Sequence, residues 1–269
     1  MSPLYLLLNA WAWTATVLII LVGFIGVTLV FLVTAPFDPG RYAAGRAFRL
    51  LAVAQLKVNP FWDFSTGGVR ITDPRRPYIA VANHESYADI FLISYLPWEM
   101  KWLSKDTIFR IPVMGWMMSM AGDIPLTRGD RSSAVDALIA CRDRLEKRVS
   151  VMIFPEGTRS RGGEMLPFKD GAFRLAIETG VPILPIAVAG TRHAMAKGTF
   201  RFRRAVARCE VLEPIPTAGL ALTDLPALKA RVRTLIDDAR HHLERELGIR
   251  PPAAEPPRSD DSATTLNVS

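Results

Sequence analysis

His84 is one of four histidines in the chain, and Asp89 follows five residues later in the run Asn83-His84-Glu85-Ser86-Tyr87-Ala88-Asp89. A neutral imidazole takes a proton from an alcohol near pH 7. A carboxylate on its other nitrogen fixes the tautomer and stabilises the imidazolium that forms. Five residues along one continuous helix would set the two side chains about 140° apart. The pair therefore requires His84 in a loop and Asp89 in the first turn of the next helix, with Asn83 or Ser86 as its cap. A helix cap beside a bystander histidine has the same spacing, so this segment alone leaves both readings open.

A second cluster is Phe154-Pro155-Glu156-Gly157-Thr158-Arg159-Ser160. Gly157 lets a backbone N–H approach a ligand closely. Arg159 has the planar fork that grips a phosphate through two parallel hydrogen bonds. Glu156 is an acceptor for sugar or glycerol hydroxyls, and Lys169, in Phe168-Lys169-Asp170-Gly171, adds charge. An ordinary polar turn with a surface ion pair has the same composition. Lys105 and Arg128 each end a short β-type run and are further cations for the same cleft, although single charges at such places are often only solvated.

These residues need elements to position them. Tyr78–Ala82, Met100–Ser104, Ile124–Thr127, Ser150–Phe154, Ile183–Ala189 and Ala205–Leu212 read as strands. Asp130 caps a helix carrying Ala134, Leu138, Cys141 and Leu145 at helical spacing. Ala172–Glu178 is a short helix closed by Gly180. A long one opens at Thr223 or Asp224, with Leu225, Leu228, Val232, Leu235, Ala239 and Leu243 on one side, and ends before Gly248 and Pro251. Strand–helix alternation predicts an α/β fold, a layered mixed β-sheet flanked by helices, with chemistry just past the carboxyl ends of strands.

The N-terminus differs. No side chain from Ser2 to Phe37 is charged, and Leu4 to Val33 is almost wholly apolar. Such a run is long enough to span a bilayer with tilt, or to enter, bend near Gly23 and Gly26, and leave. Arg41, Arg46, Arg49 and Lys57 follow, as positive charge flanks the cytoplasmic end of a membrane helix. Phe48, Leu51, Val53 and Leu56 suggest a second helix lying against head groups. The expected organisation is a membrane-inserted helical segment over 1–60, an α/β domain over 61–249 and a disordered tail over 250–269. The domain is expected on the cytoplasmic side of the inner membrane. Hydrophobic residues at 49% and charged residues at 22% exclude a largely disordered chain. A net charge of +7 favours an anionic partner. Two cysteines, Cys141 and Cys209, exclude a disulfide scaffold and a cysteine-based zinc cluster.

Together the motifs resemble the glycerolipid acyltransferase family. Its first block is Asn-His, four residues, then Asp, as in Asn83-His84 through Asp89. A central block after a glycine ends in arginine, as Gly122 to Arg128 does, although Pro125-Leu126-Thr127 depart from the family pattern. Phe154 to Ser160 match the third block in full, and Val181-Pro182-Ile183-Leu184-Pro185 match the fourth. The resemblance runs from about Tyr78 to Gly190. It implies acyl transfer from acyl-CoA or acyl-carrier protein to the sn-2 hydroxyl of a lysophosphatidate at a membrane, giving phosphatidate for phospholipid synthesis, with no cofactor and no metal. His84 and Asp89 are then the catalytic pair. Lys105, Arg128, Glu156, Gly157, Thr158, Arg159 and Lys169 bind substrate, with the Gly157 N–H as first choice for the oxyanion. Rival readings are a different lysolipid acceptor such as a lyso-ornithine lipid, a metal hydrolase built on His84, Asp89 and His193, and a tethered nucleic-acid binder using Arg201-Phe202-Arg203-Arg204. No recognised nucleic-acid motif accompanies that basic run.

Overall fold

The computed structural model describes residues 2–160, 164–195 and 201–249. The tail expected over 250–269 lies outside them. One seven-stranded sheet forms the centre, in the order β1-β7-β6-β2-β5-β3-β4. Its strands are β1 (Trp62–Gly68), β2 (Ile79–Ala82), β3 (Met100–Lys105), β4 (Ile124–Leu126), β5 (Ser150–Ile153), β6 (Ile183–Ala189) and β7 (Ala205–Val211). Strands β6, β2, β5, β3 and β4 run parallel, whereas β7 is antiparallel to β6 and parallel to the edge strand β1.

The central strands are apolar throughout because both faces are covered. Ile79, Val81, Val151, Ile153 and Ile183 face helices α6 (Arg131–Glu146), α7 (Gly171–Thr179) and α8 (Leu225–Glu246). Ala80, Ala82, Met152, Leu184 and Ile186 face α3 (Ala88–Ser94). Helix α6 starts where expected, the Asp130 carboxylate accepting from the N–H groups of Ser132 at 2.9 Å and Ser133 at 3.4 Å. On α8 the buried face is Leu228, Val232, Ile236, Arg240 and Leu243. Leu235 is exposed, so that part of the expected stripe is corrected. A strict 3.6-residue period carries the face to Ile236 instead.

The apolar N-terminus forms α1 (Pro3–Thr34), one continuous helix about 48 Å long with no break at Gly23 or Gly26. Helix α2 (Tyr42–Val58) folds back against it, and Leu51 fills the space over Gly23. Helix α1 is long and apolar enough to cross a membrane. Its two faces differ. Asn9, Ala12, Ala15, Gly23 and Val27 are buried against protein, while Leu4, Leu7, Trp11, Leu18, Val22, Ile25, Leu29 and Leu32 are exposed. Contacts to the α/β domain lie far apart along it. The Tyr5 hydroxyl donates to the Phe202 carbonyl at 2.9 Å, and the Phe24 ring meets Trp116 of α5 (Met114–Ala121) at 5.9 Å.

Arg49 does not flank the apolar run as expected. It points from α2 into the domain, where its guanidinium pairs with Asp123 and lies 3.7 Å from Glu99. Lys101 completes the cluster, donating to Glu99 at 3.0 Å and to the Arg41 carbonyl at 2.7 Å. Burial pushes the Glu99 carboxyl up and the Lys101 ammonium down, and each charge opposes the shift of the other. Gly45 permits this approach, since a Cβ there would fall 2.1 Å from Glu99 Oε1.

Candidate active site

The parallel run β2-β5-β3-β4 brings four carboxyl ends to one edge of the sheet. His84 follows β2, the Phe154–Arg159 turn follows β5, Lys105 ends β3 and Arg128 follows β4. A cleft of about 310 Å³ opens there, lined among others by His84, Lys105, Arg128, Gly157, Thr158 and Arg159. Residues dispersed along the chain thus converge on one cavity.

His84 lies in the loop and Asp89 in the first turn of α3, the arrangement their spacing requires. His84 Nδ1 is 2.7 Å from Asp89 Oδ2. With a neutral imidazole, a carboxylate that accepts from Nδ1–H leaves the lone pair on Nε2. Asp89 is fully buried. Its Oδ2 also accepts from the N–H groups of Glu85 at 2.8 Å and Ser86 at 3.0 Å, and its Oδ1 accepts from the Thr191 hydroxyl. Asp89 therefore ties down the loop that leads into its own helix. Ser86, the other cap candidate, accepts through Oγ from the N–H of Ala88, the first residue of α3, at 3.2 Å. The expectation that Asn83 caps is corrected, because its amide pairs with the Val188 backbone of β6 in both directions at 2.8 Å.

The His84 ring stacks on Phe154 with centroids 4.0 Å apart, and Trp102 lies 5.9 Å beyond Phe154. The His84 backbone is clamped as well. Its N–H donates to Glu156 Oε1 at 2.7 Å, and its carbonyl accepts from Ser160 N–H at 2.9 Å. Glu156 Oε2 accepts from Leu166 N–H at 2.9 Å. Burial pushes the Glu156 carboxyl up, and the two N–H donors hold it back. Glu156 is buried and does not line the cleft. Expected to meet glycerol oxygens, its carboxylate here ties the His84 backbone to that of Leu166.

Gly157 adopts φ +71°, and its N–H donates to the Phe154 carbonyl at 3.0 Å. That N–H, expected to meet an oxyanion, closes the turn in this structure. Thr158 lines the cleft, and its N–H has no partner among the described residues. Lys169 lies against Gly157 in an adjoining, mostly apolar cleft, also of about 310 Å³, that shares Arg128, Phe154 and Gly157 with the first. Among the described residues no carboxylate pairs with Lys105, Arg128 or Arg159, so three cations along the cleft are left for an anion.

Sequence reasoning missed Thr191, Phe154 as a stacking platform, and Tyr87, whose ring lies 3.8 Å beneath the Arg159 guanidinium. The strand-end rule applied to β6 would have reached Thr191. His193 is exposed, and among the described residues no three His, Cys, Asp or Glu side chains group as metal ligands. Cys141 and Cys209 are buried away from the cleft, the Cys141 thiol pushed up to about 12 by burial. In the basic run 201–204, Phe202 is buried against Trp62 and the start of α1.

This sheet, with its His–Asp pair at the end of a central parallel strand, defines an acyltransferase-type α/β domain. The Acyltransferase family model matches residues 66–189. The crystal structure of the 1-acyl-sn-glycerophosphate (LPA) acyltransferase PlsC from Thermotoga maritima superposes with a TM-score of 0.75 at 27% identity, covering 89% of this chain and 96% of that one. Human 1-acyl-sn-glycerol-3-phosphate acyltransferase beta is 31% identical over 191 residues, 68% of this chain and 69% of that protein. The chloroplastic 1-acyl-sn-glycerol-3-phosphate acyltransferase BAT2 of Brassica napus is 43% identical over 147 residues, 54% of this chain. This chain spans only 43% of the length of that relative. The chain belongs to the glycerolipid acyltransferase family.

Proposed function

We propose that the protein transfers a fatty acyl group from an acyl-CoA or acyl-carrier-protein thioester to the sn-2 hydroxyl of 1-acylglycerol-3-phosphate, forming phosphatidate. The observation that carries this reading is the shared cleft: the His84–Asp89 pair opens onto the cavity that holds the cations Lys105, Arg128 and Arg159. A base and an anion clamp in one cavity suit an acceptor with a hydroxyl near a phosphate. The names of the relatives point the same way.

In this reading His84 Nε2 removes the hydroxyl proton while Asp89 holds the imidazole through Nδ1–H. The oxygen attacks the thioester carbonyl, and a tetrahedral oxyanion forms. The Thr158 N–H is its donor. The carbon–sulfur bond then breaks, and the leaving thiolate takes the proton back from His84. No enzyme acyl intermediate is required. The exposed face of α1 rests in lipid while its other face stays on the domain. This brings the cleft to a membrane-borne acceptor, and the basic residues Arg41, Arg46 and Lys57 after α1 support a domain on the cytoplasmic side of the inner membrane.

Mass spectrometry of products after incubation with mixed lysolipids and both thioester donors tests the assignment. Phosphatidate as the main product is expected. Preferential acylation of a lysolipid lacking a phosphomonoester, such as a lyso-ornithine lipid, would overturn the choice of acceptor. His84→Ala is expected to lower kcat by about 10²–10⁴-fold without unfolding the protein.

A further inference from the structure

In the run 83–89 every side chain but one is buried. Tyr87 stands half exposed, and it lines the cleft. The Arg159 guanidinium lies over its ring, 3.8 Å from the centroid. A guanidinium over an aromatic face is attracted by the ring quadrupole and still presents its N–H donors around its edge. Among the described residues no carboxylate holds Arg159, so the ring is what fixes the plane of its fork. Tyr87 belongs to the block that carries the base, and Arg159 to the block that carries the clamp.

We propose that Tyr87 is a positioning residue for the acceptor phosphate: its ring face presets the Arg159 fork toward the cleft. This rests on the reading of Arg159 as the phosphate clamp. The aromatic ring supplies the effect, and the phenol hydroxyl is not needed.

The test is steady-state kinetics of the purified full chain with lysophosphatidate and with 1-monoacylglycerol, which has the same hydroxyl and no phosphate. Tyr87→Leu is expected to raise KM for lysophosphatidate by roughly 2- to 30-fold, the range of an aromatic–cation contact from exposed to desolvated settings. The kcat at saturation and the constants for monoacylglycerol should change far less. Tyr87→Phe should restore KM, and Tyr87→Leu should add nothing once Arg159 is already alanine. Equal losses on both acceptors, failure of phenylalanine to rescue, or full additivity with Arg159→Ala would overturn the proposal. Should Arg159→Ala itself leave KM for lysophosphatidate unchanged, the clamp reading falls, and this inference falls with it. Tyr87 is half exposed, so these variants remove no core contact, and thermal melts matching wild type confirm folding.

Discussion

Single side chains here carry distinct tasks that composition alone does not separate. Glu156 lies in the most recognisable motif of the chain, yet both its oxygens accept backbone N–H groups and none faces the cleft. Glu156→Gln turns one acceptor into a donor facing an N–H. It should cost about 1–3 kcal/mol of stability and lower kcat, with little change in KM for the acceptor. Denaturant titration beside kinetics checks this, and a rise in KM alone would restore the glycerol contact. Glu85 makes a second case. Burial, with the charge of Asp89 beside it, pushes its carboxyl up to about 8. The folded state then holds a proton that the unfolded state releases near pH 4.5, so stability falls as pH rises from there through about 8. Melting temperatures of wild type should drop more steeply over that window than those of Glu85→Gln, and parallel slopes would refute the assignment. Spacing revealed the His84–Asp89 pair because only a loop-to-helix junction brings the two together. It could not reveal the orientation of Glu156, which depends on the Leu166 N–H, ten residues further on, reaching back to the same carboxylate.

At the scale of elements, the site depends on four parallel strands ending at one edge, and on α2 being fastened to β3. The buried strands were legible because apolar runs bounded by turn residues have few other uses. Strand β1 was not, since Trp62–Gly68 holds Asp63, Ser65, Thr66 and two glycines at an edge where half the side chains meet solvent. Helix α5 was missed too, for it is short and almost wholly apolar and packs against both α1 and α2. The basic residues after α1 read as a membrane flank, whereas Arg49 turns inward to Asp123 and Glu99. Asp123 also accepts from the Trp102 N–H at 3.0 Å, linking that cluster to the wall of the cleft. Removing one member strands a buried charge. Arg49→Met should therefore destabilise by about 3–5 kcal/mol, with Arg49→Lys in between. A loss below about 1 kcal/mol in chemical denaturation would show that α2 is held by apolar packing alone.

For the molecule as a whole, the His84–Asp89 pair, the cations of the cleft and an apolar helical face suit the proposed acceptor, which is half lipid and half phosphate. The 32-residue apolar run was unmistakable in sequence, but its sidedness was not, because both faces are apolar and only the α/β domain decides which is covered. Val22, Ile25 and Leu29 lie on the exposed face. Changing all three to Asn should reduce binding to anionic phospholipid vesicles by about tenfold or more while leaving the thermal melt in place. Unchanged flotation would detach α1 from the lipid role.

The central claim is that His84 and Arg159 act on one bound head group, and acceptor discrimination reads it most directly. The quantity is kcat/KM for lysophosphatidate divided by kcat/KM for 1-monoacylglycerol, in wild type, His84→Ala and Arg159→Ala. Arg159→Ala should collapse that ratio, and His84→Ala should depress both rates and preserve it. An unchanged ratio in Arg159→Ala, with both acceptors slowed alike, would contradict the account.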